Sequence, residues 1–314
     1  MPIRGNMSRK LRVMLIILAA AVVAAGGFIV YTATKSSTQS ACIDDLQYKD
    51  SEIQLLKFSD GGDRSCPVIP ITVDGNAVDM MFDTGCGTGI FFTDMMADKL
   101  AYTSLGKTEE VNRDGSHRGW SERVSVNAFT VSGQEYEDVE TTISDWSLYS
   151  SSPFNGSIGL EYFAGKVVTL DYAGGRFAVS SRPIDYSRMD DSYIVLPLYN
   201  STSEGQETLP FFEAELEGEP VMVYLDTGKN YSYIDDPGSG YSIADKPGGF
   251  CDVTLTIGGK DLTLRDVAAA NDMAQAQGLP YPTRIELNSD QIWKNRIVVT
   301  FDMISQKIIF QMQP

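Results

Sequence analysis

Two aspartates carry the chemistry available to this chain. Asp83 closes the run Met80-Met81-Phe82 and precedes Thr84-Gly85; Asp226 closes Val223-Tyr224-Leu225 and precedes Thr227-Gly228. One Asp-Thr-Gly after an apolar run reads as an Asx-type turn ending a buried strand. Two copies in equivalent positions of a repeat read differently, because two like charges brought close cannot both ionise. One carboxyl keeps its proton while the other stays charged, so the pair can act as general acid and general base on one water. The reaction that fits is amide hydrolysis by direct attack of water. Thr84 and Thr227 are expected to lock the two turns through hydroxyl hydrogen bonds to the opposite backbone, and Gly85 and Gly228 to let the chains pass closely.

The elements that position the aspartates repeat with them. At the offset of 143 that superposes Asp83 on Asp226, Pro67 falls on Pro210, Gly75 on Gly218 and Val78 on Val221. Each half therefore opens with a hairpin: residues 68–73 and 77–82 around Asp74-Gly75-Asn76, and residues 211–216 and 220–225 around Glu217-Gly218-Glu219. Farther on, Val167-Val168-Thr169-Leu170-Asp171 matches Val298-Val299-Thr300-Phe301-Asp302 at an offset of 131, and Asp138-Val139 matches Asp266-Val267 at 128. The second copy is thus shorter by 12 residues, lost between its Asp-Thr-Gly and Asp266-Val267. Residues 107–126, a charged, β-prone hairpin around Arg113-Asp114-Gly115-Ser116-His117, have no full counterpart.

The 314 residues, 43% of them apolar, can bury one or two sizeable cores, and the length suggests two domains. A net charge of −17 argues against a nucleic-acid backbone as partner. Residues 1–12 carry Arg4, Arg9, Lys10 and Arg12, and the uncharged run 13–31 follows. Its length nearly spans a hydrocarbon core, so it reads as a single-pass anchor with residues 1–12 cytoplasmic and the rest extracytoplasmic; the alternative is a long signal peptide. Residues 32–51, rich in Ser, Thr and Asp, read as a stalk. Turn signals every eight to twelve residues then predict an all-β chain in two lobes, 52–182 and 183–314, with residues 183–191 as the connection. Short helices are expected at 93–100 and, from the Ala-rich composition, at 267–277. Four cysteines allow three full pairings. Cys42 with Cys66 is the preferred one, while Cys86 reads as a small buried apolar residue. A lone histidine, His117, argues against a multi-histidine zinc site and weakens a Ser-His-Asp scheme. No phosphate loop or dinucleotide fingerprint occurs, so neither cofactor nor metal is expected.

With both motifs in place, residues 52–314 resemble the pepsin-like aspartic proteases, whose lobes are related to retropepsin-type domains. Asn155-Gly156-Ser157-Ile158-Gly159-Leu160-Glu161-Tyr162-Phe163 is similar to that family's apolar-Gly loop passing behind the first catalytic turn. The resemblance implies a bilobal pepsin-like fold and a membrane-anchored endopeptidase with Asp83 and Asp226 as its catalytic pair. It also implies an extended peptide or protein substrate bound in a cleft beneath a flap. Asp114, Gly115, Ser116 and His117 would form the flap tip, and Trp120 would offer an aromatic ring with an N–H donor. The chain departs from the family after each Asp-Thr-Gly, where a hydroxyl or small residue gives way to Cys86 and Lys229. If Lys229 faces the aspartates it disfavours the shared proton; the alternative is that it turns to solvent. Aligning Tyr162 with Trp293 places Ser289-Asp290 opposite Ile158-Gly159, so the second loop reads as degenerate and Asp290 as a neutraliser of Lys229. Two alternatives to the enzyme remain: a catalytically inactive peptide-binding module, and a precursor whose residues 32–65 cover the cleft until removed.

Overall fold

Alternating apolar residues build the first hairpin. Pro67–Val73 pairs antiparallel with Asn76–Phe82, Val68 against Met81 and Val73 against Asn76, and the inward side chains Ile69, Ile71, Val78, Met80 and Phe82 are buried. Phe211–Leu216 and Glu219–Asp226 repeat this 143 residues later, Phe211 lying against Tyr224. Both turns begin on a left-handed residue, Asp74 at φ 47° and Glu217 at φ 56°, followed by Gly75 and Gly218 at 79° and 82°. That is the backbone of a two-residue hairpin turn matched to the twist of its strands.

The computed structural model describes residues 43, 45–59, 66–87, 89–111, 117–145, 155–203, 205–235, 250–270 and 275–312. The tail 1–12, the apolar run 13–31, Cys42 and the flap-tip residues Asp114, Gly115 and Ser116 lie outside them. The protein is mostly β, with a few short helical turns. The first half forms an eight-stranded sheet in the order Lys57–Phe58, Pro67–Val73, Asn76–Phe82, Gly156–Ile158, Ile90–Thr93, Gln134–Ser144, His117–Val131, Tyr102–Val111. The second half forms a closed barrel, Phe211–Leu216, Glu219–Asp226, Thr283–Asn288, Tyr233–Asp235, Lys260–Ala270, Phe250–Ile257. The middle of both runs is the same: an aspartate strand, a parallel neighbour, a short strand, then a long hairpin. Even an irregularity recurs, since Asp138 and Asp266 both adopt left-handed φ, 51° and 57°.

A third, six-stranded sheet belongs to both halves. Its order is Ile53–Leu55, Arg176–Ser180, Val167–Asp171, Ile297–Asp302, Lys307–Met312, Tyr193–Pro197. The halves meet where Val167–Asp171 runs antiparallel to Ile297–Asp302, and at the midpoint Thr169 faces Thr300, its own repeat partner, with hydroxyl oxygens 2.7 Å apart. Residues 41–314 accordingly form one unit.

The short helix expected at 93–100 is the 3-10 helix Asp94–Lys99, with Thr93 at its N-cap position. Other expectations change. The helix expected at 267–277 is absent from its described part: Val267 to Ala270 end the strand Lys260–Ala270, which pairs in parallel with Tyr233–Asp235. Pairing in the barrel overrides alanine's helical preference there, and Val267 is fully buried. Folded structure also reaches back into the stretch read as stalk. Ile43 is buried, Leu46 packs with Tyr193, Val298 and Ile309, and Tyr48 hydrogen-bonds Thr169 at 2.7 Å. Of the segment 32–65 expected to mask a cleft, Ile53–Leu55 and Lys57–Phe58 are strands of the six- and eight-stranded sheets.

Candidate active site

Each aspartate stands where its strand runs out beside a parallel neighbour. Met81 and Phe82 pair with Ser157 and Ile158, while Tyr224, Leu225 and Asp226 pair with Glu286, Leu287 and Asn288. The two Asp-Thr-Gly turns interlock. Thr84 Oγ1 donates to Leu225 O at 2.7 Å and accepts from Thr227 N at 3.0 Å; Thr227 Oγ1 donates to Phe82 O at 2.7 Å and accepts from Thr84 N at 3.0 Å. Both threonines are buried, so these four bonds satisfy groups that water does not reach. Each turn is also closed internally, Gly85 N–H on Asp83 Oδ1 at 2.8 Å and Gly228 N–H on Asp226 Oδ1 at 2.9 Å.

The glycines show how near the carboxyls are to one another. A methyl group on Gly85 would stand 2.6 Å from Asp226 Oδ2, and one on Gly228 would overlap Asp83 Oδ1. Only hydrogen at these positions lets each turn lie against the other's carboxyl. Each carboxyl therefore lies against the other's turn, near enough for the two to influence each other's ionisation. Burial pushes Asp226 well above the usual carboxylate range, and the neighbouring Asp83 charge adds to it. Burial also raises Asp83, but the Gly85 N–H and the Ser157 hydroxyl, 3.1 Å from Oδ2, oppose the rise. Asp226 is thus the member raised further, and Asp83 the one whose charged form is supported by hydrogen bonds. Among the described residues no group of three or more His, Cys, Asp or Glu is arranged to hold a metal ion.

Lys229 does not turn away. Its ammonium lies 3.5 Å from Asp226 Oδ2 and 2.7 Å from Glu286 Oε1, with the side chain about half exposed. Nor does Asp290 neutralise it: Asp290 is fully buried, accepting from Ser232 Oγ at 2.7 Å and Gln291 Nε2 at 2.6 Å, with Lys294 at 3.5 Å. The misplacement comes from register. The residues opposite Ile158-Gly159 are Leu287-Asn288, two positions before Ser289-Asp290, so the second loop is continued by the short helix Ser289–Lys294 and is complete where the aspartate needs it. At Gly159 a methyl would lie 2.7 Å from Cys86 O, whereas Asn288 uses its amide to bond Tyr231 O and, at 3.1 Å, Glu286 Oε1.

Three contributors are not assigned by the sequence pattern. Ser157 supplies Asp83 with the hydroxyl that Cys86, buried in the turn, replaces in the motif. Glu286 is its counterpart on the other side, an acidic residue between the buried Ile285 and Leu287 of an otherwise apolar strand, which is the available signal. Tyr224 lies two residues before Asp226 on the same strand, and burial together with that carboxylate's charge raises its phenol well above normal. Of the expected flap, Tyr102–Val111 and His117–Val131 form a hairpin that continues beyond the last pairing with Gln134–Ser144, at Ser121, as a two-stranded ribbon. His117 there contacts Glu109 Oε1 at 2.7 Å, and Trp120 is 57% exposed. Cys66 is buried with its thiol 2.8 Å from Asn230 Oδ1; a pairing with Cys42 falls outside the described residues.

Scanned against models of known families the chain matches none, and no curated protein matches it.

Proposed function

We propose that this protein is a pepsin-like aspartic endopeptidase that hydrolyses peptide bonds with water activated between Asp83 and Asp226. The observation that carries the proposal is the reciprocal packing of two Asp-Thr-Gly turns, cross-linked by their threonines and with each glycine against the other's carboxyl. Asp83, charged and held by Gly85 N–H and Ser157, takes a proton from water as the oxygen attacks the peptide carbonyl carbon. Asp226 gives its proton to the carbonyl oxygen. As the tetrahedral diol collapses, the C–N bond breaks, Asp83 returns its proton to the leaving nitrogen and Asp226 recovers one from the diol. An extended peptide suits the site because flanking strand edges can pair with it, and the ribbon ending near Trp120 would serve as the flap. The uncharged run 13–31 behind a basic flank supports a membrane-anchored, extracytoplasmic placement, although among the described residues no helix is long and apolar enough to cross a membrane.

A second reading, a peptide-binding module without activity, is favoured by the ammonium of Lys229 beside Asp226. One experiment separates them. Residues 41–314 are incubated with a mixed peptide library from acid to neutral pH beside Asp83→Ala and Asp226→Ala. Cleavage by the parent alone, blocked by a statine-type inhibitor, supports the enzyme. Peptide binding without cleavage by the parent sinks it in favour of the module.

A further inference from the structure

An acid/base role for the aspartates has to be reconciled with the ammonium beside them, and the part assigned here to Lys229 rests on the endopeptidase reading. Lys229 bridges two carboxylates, one functional and one not. Glu286 contributes a side chain only 5% exposed, fixed by Asn288 Nδ2 at 3.1 Å and by the ammonium at 2.7 Å, on the strand that pairs directly with the Asp226 strand. A lone ammonium next to Asp226 would strip the proton that the acid role needs; a lone Glu286 would hold that proton too tightly. Together they act on Asp226 in opposite directions, the ammonium lowering its proton affinity and Glu286 raising it. We propose that Lys229 and Glu286 act as a compensating charge pair that positions Asp226 and fixes the pH range over which the two aspartates share one proton.

The surroundings leave this assignment to these two groups among the described residues. Asp226 is faced by Asp83 from the opposite turn, by Tyr224 on its own strand, by Tyr172 from behind and by the Lys229–Glu286 pair. Lys229 is faced by Asp226, by Glu286 and by the Tyr233 ring at 6.0 Å to its centroid. Both phenols that face Asp226 are held far above the physiological range by burial and stay neutral. The ammonium and Glu286, paired at 2.7 Å, are thus the ionisable groups beside Asp226 that do not belong to the aspartate pair or the phenols. The first half has neither, because Ser157 stands at the register position of Glu286 and gives Asp83 a neutral hydroxyl. The device belongs to the acid member alone.

The test is a charge cycle: Lys229→Met, Glu286→Gln and the double variant, with Lys229→Arg as the charge-preserving control. Two readouts are taken, the pH profile of peptide cleavage and the titration of aspartates carrying 13C at Cγ, followed by NMR. The second needs no turnover. Lys229→Met is expected to move the loss of the shared proton up by about one pH unit and Glu286→Gln to move it down by a similar amount, with the double variant and Lys229→Arg close to the parent. If both single variants titrate like the parent, or if the double variant follows Lys229→Met, the compensating pair is wrong. If the titrations move as expected while neither the parent nor any variant cleaves peptide, the pair stands and the endopeptidase reading falls. Lys229 is half exposed and glutamine keeps an oxygen for Asn288, so both single variants should fold; Lys229→Thr replaces any Lys229→Met that does not.

Discussion

At the scale of the residue, Asp226 makes folding and chemistry compete. Its carboxyl is raised well above the usual value of 3.8, chiefly by burial and then by the Asp83 charge. A group whose folded value lies above its unfolded one stabilises the fold fully below the unfolded value and loses that contribution as pH rises through the folded value. Asp226→Asn should therefore match the parent's melting temperature below about pH 4 and exceed it increasingly toward pH 8. Melting curves by circular dichroism at several pH values check this, and a difference that does not change with pH would count against a proton held at this site. Such an outcome is open to measurement in protein with no activity at all.

At the scale of the element, the two turns are held to each other by four hydrogen bonds of Thr84 and Thr227. Thr84→Val removes one acceptor and one donor from the interlock and leaves Thr227 N and Leu225 O buried without them. The expected loss is about 3 kcal/mol in urea unfolding, against under about 1 for Thr84→Ser, which keeps the hydroxyl. A loss below about 1 kcal/mol for valine would mean that other contacts hold the turns. This level also shows what can be read in advance. The hairpins, the aspartate strands, the threonine lock and the closing strands are legible because each half repeats an apolar period and a turn residue at a fixed offset. The second loop is not: inserting the helix Ser289–Lys294 shifts its register by two, so matching Tyr162 to Trp293 passes over Leu287-Asn288 and points to Asp290 instead of Glu286. The strand ending in Ala268 to Ala270 is hidden because alanine says nothing about barrel pairing, which is a long-range property. Lys229 could turn to solvent by the general reluctance of charges to be buried, whereas a buried partner two strand positions before Asn288 holds it inward.

At the scale of the whole molecule, the six-stranded sheet is the seam. Thr169 meets Thr300 there as Thr84 meets Thr227 above it, so equivalent residues pair with themselves at two points, the signature of an isologous contact inside one chain. Residues 41–182 and 183–314, co-expressed as separate chains, are expected to purify as a one-to-one complex with the β-rich circular dichroism of the intact protein. Recovery of either piece alone, with its partner lost, would show that the connection between them is required to hold the seam.

The seam's symmetry stops short of the carboxyls. One aspartate has a neutral alcohol at its flank and the other an ammonium backed by a buried glutamate, and among the described residues the long ribbon rises from the first half. A perfectly twofold groove would accept a polypeptide threaded in either sense. On the endopeptidase proposal the two flanks of the site are chemically unlike, so a substrate chain would take a fixed heading, amino end to one side and carboxyl end to the other, and retro-sequence peptides of identical composition should not be interchangeable with their parents.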